Sequence, residues 1–113
     1  MATVQQHFVR REPHVRAIYD RIVAAAARFG PVDEDPKKTS IHLNRRSAFA
    51  GVATRKDAVI LTFKSIKDIR SRRVVKRLQR SPTRWYLEVR LEDPTQVDAE
   101  LTRWLKASME LSK

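Results

Sequence analysis

The chain contains no cysteine and only two glycines, Gly30 and Gly51. Without cysteine there is no disulfide, no thiolate nucleophile and no cysteine-built zinc site. Two isolated glycines cannot form the loops by which P-loop and dinucleotide-binding folds cradle phosphates, since both fingerprints need several glycines close together. Long apolar runs are also missing. The longest, Ile22 to Ala27, falls far short of a membrane span, and the opening MATVQQHFVRREPH holds no apolar stretch of the secretory kind. A soluble, cytoplasmic protein is expected.

Acids are scarce as well: 13 Asp and Glu stand against 24 Lys and Arg, a formal net charge of +11. The imbalance is local. Residues 64–84, KSIKDIRSRRVVKRLQRSPTR, carry nine bases and one acid, Asp68, leaving 15 bases and 12 acids for the rest of the chain. Clustered Lys and Arg gain free energy by releasing the counterions condensed on phosphates, so the segment suggests a polyanionic partner, nucleic acid first among them. Arg72, Arg73, Lys76, Arg77, Arg80 and Arg84 are the candidate anion-binding residues. Arginine suits this role because its planar fork donates two parallel hydrogen bonds. A charge run of this kind is nevertheless more often a solvated surface than a binding site. Arg45-Arg46 and Arg55-Lys56 extend the belt if strands bring them alongside.

With 113 residues, 42% apolar and 33% charged, the composition is that of one globular domain, large enough to build a core without staples. Residues 1–11 read as a polar lead-in. Over 13–29 the residues Val15, Ile18, Tyr19, Ile22, Val23, Ala26 and Phe29 recur at helical spacing, with Pro13 suited to the first turn and Gly30-Pro31 as the stop. Residues 31–38, PVDEDPKK, read as a polar loop.

From Thr39 the period changes to two, and residues 39–91 read as a sheet. Ile41 and Leu43, then Ala48 to Val52, then Val59, Leu61 and Phe63 define three strands. Ile66 and Ile69 fit one helical turn. Residues 73–79 read as a strand closed by Ser81-Pro82-Thr83 onto the next, with a short helix over 70–79 as the competing reading. In Arg84 to Leu91, Trp85, Leu87, Val89 and Leu91 share one face and Tyr86, Glu88 and Arg90 the other. Asp93, Pro94 and Gln96 form a helix entry, and a final helix is expected over 94–111. The expected fold is α+β: an antiparallel meander of four or five strands with an N-terminal and a C-terminal helix packed on it.

The segments QHF, KKTSIHLNRRSAFAGVATRKDAVILTF, SRRVVKRLQRSPTRWYLEVRL and PTQVDAELTRWLKASMELS, in this order, resemble the bacterial DUF5655 family, a domain of unknown function. The resemblance runs from His7 to Ser112. It implies the same α+β fold and no established activity. Where relatives carry histidines after the Arg-Trp pair, this chain has Tyr86 and Leu87.

No catalytic motif appears, and no cofactor is expected. His7, His14 and His42 are too far apart in sequence for a metal site. His7, His42 and Tyr86 are candidates for a pocket between sheet and helices, the alternative reading being a small-molecule binder or enzyme built on it. A third reading is a module that dimerises through an exposed strand edge or helix face.

Overall fold

A computed structural model describes residues 2–112. Helix α1 covers Pro13–Ala27 and buries Val15, Ile18, Tyr19, Ile22 and Ala26, the stripe its spacing predicts. It stops where Gly30 takes a φ of 142°, a backbone conformation that side chains rarely adopt, and Pro31 follows. Six strands form one antiparallel sheet: β1 (Asp33–Pro36), β2 (Ile41–Asn44), β3 (Ala48–Thr54), β4 (Val59–Ser65), β5 (Val74–Ser81) and β6 (Arg84–Leu91). Helix α2 (Ala99–Glu110) closes the fold. Among the described residues no helix is long and apolar enough to cross a membrane.

The α+β class is as expected, but the sheet has six strands rather than four or five. The extra one is β1, in the stretch read as a polar loop. It is an edge strand in which Asp33, Glu34, Asp35 and Pro36 pair with Asn44, Leu43, His42 and Ile41. Charge and proline are tolerated there because an edge strand bonds on one side only, and they discourage pairing with a second molecule.

Nor is the sheet a simple meander. The strand order is β1-β2-β3-β4-β6-β5, so the chain leaves β4, crosses the sheet end through residues 66–73, and lays β5 outside β6. The crossing contains no helical turn at Ile66–Ile69, and residues 74–81 are strand, not helix. The lead-in is partly structured too: Gln5–Phe8 form a 3-10 turn whose Phe8 ring packs on Tyr19.

Both helices lie on one face of the sheet. Val52, Val59, Leu61, Leu87, Val89 and Leu91 are fully buried there with Ile18, Ile22, Leu101 and Leu105. Burying each such side chain contributes about 1.5–3 kcal/mol. The final helix is broken in two. Asp93 and Gln96 form the expected capping box, but on a short 3-10 turn, Pro94–Gln96. Asp98 then caps α2 by accepting the Leu101 N–H at 3.0 Å. That hydrogen bond, followed by the Arg73 guanidinium, holds the Asp98 carboxyl below the usual carboxylate range.

One end of the sheet is opened by the helix. The β3–β4 ladder ends at the Ala50–Phe63 pair, and β3 bulges at Phe49. Ser108 of α2 fills the next rung: its Oγ accepts the Lys64 N–H at 2.9 Å and donates to the Phe49 carbonyl at 2.6 Å.

Candidate anion-binding site on the open sheet face

Strand alternation sends every second residue of β2, β3, β4 and β6 away from the helices. On that uncovered face the register lines up His42, Gly51, Thr62, Glu88 and Lys76 in one row, and Lys64, Tyr86 and Leu78 in the next. Short side chains at the middle of the sheet make this face concave. The result is a trough of about 280 Å³ lined by His42, Ala48, Gly51, Ala53, Thr62, Lys64 and Tyr86, among others.

The basic belt does not stay together. Arg73 and Arg77 turn toward the helix side and are used there. The Arg73 guanidinium bonds Asp98 at 3.0 Å, Glu100 at 3.2 Å and the Gln96 carbonyl at 2.6 Å, and lies over the Trp104 ring. Arg77 bonds Asp68 at 2.8 Å and the Ile69 carbonyl at 3.1 Å. These two arginines fasten the crossing and β5 to the rest of the fold. Arg72 is exposed in the turn that enters β5.

Lys76, Arg80 and Arg84 go to the open face. Lys76 stands opposite Glu88. The ladder shifts register between Gln79 and Ser81, and this irregularity aims Arg80 over Tyr86, its guanidinium carbon 5.6 Å from the ring centroid. Arg84 approaches Lys64 closely enough to oppose its charge. None of the ion pairs among the described residues involves Lys64, Lys76, Arg80 or Arg84.

Lys64 was part of the sequence's basic run but not of its candidate site, and the structure gives it a central place. Its Nζ donates to the Ser112 hydroxyl at 3.0 Å and reaches Ser47 at 3.4 Å, with no carboxylate among its hydrogen-bond partners in the described residues. Desolvation, then the positive charge of Arg84, lowers its pKa from the ordinary lysine value. A negative charge placed nearby favours the protonated lysine. The signal was present in the sequence: Lys64 continues the outward alternation of Ile60 and Thr62.

Of the three pocket candidates, His42 and Tyr86 do line one depression, but it is on the open face and not between sheet and helices. His7 stands apart, its Nε2 2.8 Å from the Lys37 carbonyl. Beyond His42, Asp35 pairs with it across β1 and β2 and is matched by Lys37 at 2.9 Å. Arg45-Arg46 and Arg55-Lys56 lie in the turns at opposite ends of β3, so they do not extend one patch together. A second group of bases, Arg21, Arg28, Arg103 and Lys106, lines a shallow cleft on the helix layer with Asp98 and Phe29.

A family model described as Domain of unknown function (DUF5655) matches residues 4–112, nearly the whole chain. No curated protein and no solved structure matches it.

Proposed function

Since the chain belongs to the DUF5655 family, whose description carries no activity, we propose a role from the surface it presents: a non-enzymatic cytoplasmic binding module that holds nucleic acid on the open face of its sheet. The observation that carries this reading is the sorting of the belt. Bases that brace the fold are matched with acids and carbonyls on the helix side, whereas Lys64, Lys76, Arg80 and Arg84 share the open face, where Glu88 is the acid in register with Lys76, and take no ion pair among the described residues. Among the described residues none of the four is neutralised by a carboxylate, and a face with such bases attracts phosphates and releases their counterions. Tyr86 adds an aromatic surface within the same cluster.

The salt dependence of binding tests the reading. With four phosphate contacts on a single strand, log K should fall against log salt with a slope of about −3. Fluorescence anisotropy with a labelled oligonucleotide, titrated from about 50 to 200 mM salt, gives the slope directly. No binding at the low end of that range would end the proposal.

A further inference from the structure

We propose that the trough over Gly51 receives an unpaired nucleobase, so that the polyanion held by the open face is single-stranded nucleic acid. The inference rests on the nucleic-acid reading above and names the form of the ligand. It starts from a glycine that the backbone does not require. Gly51 lies in the middle of β3, is not among the positive-φ residues, and a Cβ built on it meets nothing within 4 Å. A strand-interior glycine costs roughly 0.5–1 kcal/mol relative to alanine. What it provides here is open space against the backbone, the usual mark of a place where another group approaches closely.

The space has the shape and chemistry for one flat ring. The floor is short, built of Ala48, Gly51, Ala53 and Thr62, with Tyr86 and His42 also lining it. At about 280 Å³ the trough is at the small end of ligand pockets, which start near 300 Å³ for drug-sized molecules. A duplex keeps its bases stacked inside and cannot fill such a depression, whereas the bases of a single strand are free to stack on aromatic side chains.

Charge sets the direction of the strand's backbone. Arg80 lies over the ring of Tyr86, Lys64 lines the trough, and Arg84 is close enough to Lys64 to act on its charge. On the β1 side the Lys37 charge is already matched by Asp35. A base in the trough therefore carries its phosphates toward β6 and β5, over the unpaired bases, and shares the Tyr86 ring with the Arg80 guanidinium.

The test compares a labelled oligothymidylate of about ten nucleotides, alone and annealed to its complement, on the wild type and on Gly51→Leu and Tyr86→Leu. The single strand should bind at least about tenfold more tightly than the duplex. Tyr86→Leu should weaken single-strand binding roughly 5- to 150-fold, and Gly51→Leu, which fills the trough, should weaken it similarly while the melting temperature stays close to wild type. Equal binding of duplex and single strand, with both variants binding like the wild type, would overturn the base-in-trough inference and leave the cationic-face reading standing. Binding of neither form would overturn both.

Discussion

Replacing Lys76, Arg80 and Arg84 together by glutamine is expected to weaken single-strand binding by roughly two to three orders of magnitude at about 50 mM salt. Each phosphate contact on a single strand contributes about 0.7 to the slope of log K against log salt. Loss of three contacts should therefore flatten the slope from about −3 to about −0.7, leaving Lys64 as the remaining contact. The comparison variant is Arg73→Gln, which removes an arginine from the same stretch of sequence but from the helix side. It should bind with an unchanged slope and instead lose roughly 1.5–3 kcal/mol of stability. That loss follows because Arg73, only 25% exposed, ties together Asp98, Glu100 and the Gln96 carbonyl. Anisotropy titrations and urea denaturation separate the two outcomes.

Ser108→Ala is expected to cost about 2–4 kcal/mol, a large effect for the loss of one oxygen. Ser108 is fully buried and stands in for a missing rung of the ladder, bonded to the Lys64 N–H and the Phe49 carbonyl. Alanine orphans both backbone groups where β3 and β4 separate, and each unsatisfied buried group costs about 1–3 kcal/mol. The loss should appear in the urea midpoint with an unchanged m-value. Hydrogen exchange at the Lys64 amide should accelerate more than at amides in the middle of β4.

Periodicity made the core legible in the sequence. The alternation of Val59, Leu61 and Phe63 and of Leu87, Val89 and Leu91 needs no knowledge of neighbours, because a strand with one covered face must bury every second residue. The α1 stripe follows from the same logic at a period of 3.6. Strand β1 was not legible. DEDP has poor strand propensity, and only its pairing with Ile41–Asn44 makes it extended. The exchange of β5 and β6 was equally hidden, since a crossing of residues 66–73 suits either order.

The site was legible in part. Sequence located the bases and put Tyr86 on the outward phase. It could not show that Arg73 and Arg77 are taken up by Asp98, Glu100 and Asp68, because two of those acids lie more than twenty residues away. Ser108 sat in phase with Leu101 and Leu105, so its place on the buried stripe was visible. Its bridging role depends on the bulge at Phe49, which periodicity does not announce.

In the proposed function the open face, not the helix layer, holds the nucleic acid. Amide chemical shifts recorded during titration with the single-stranded oligonucleotide test it most directly. Shifts should concentrate at His42, Gly51, Thr62, Lys64, Arg80 and Tyr86. Shifts concentrated instead around Arg21, Arg28, Arg103 and Lys106, with the open face unmoved, would contradict it.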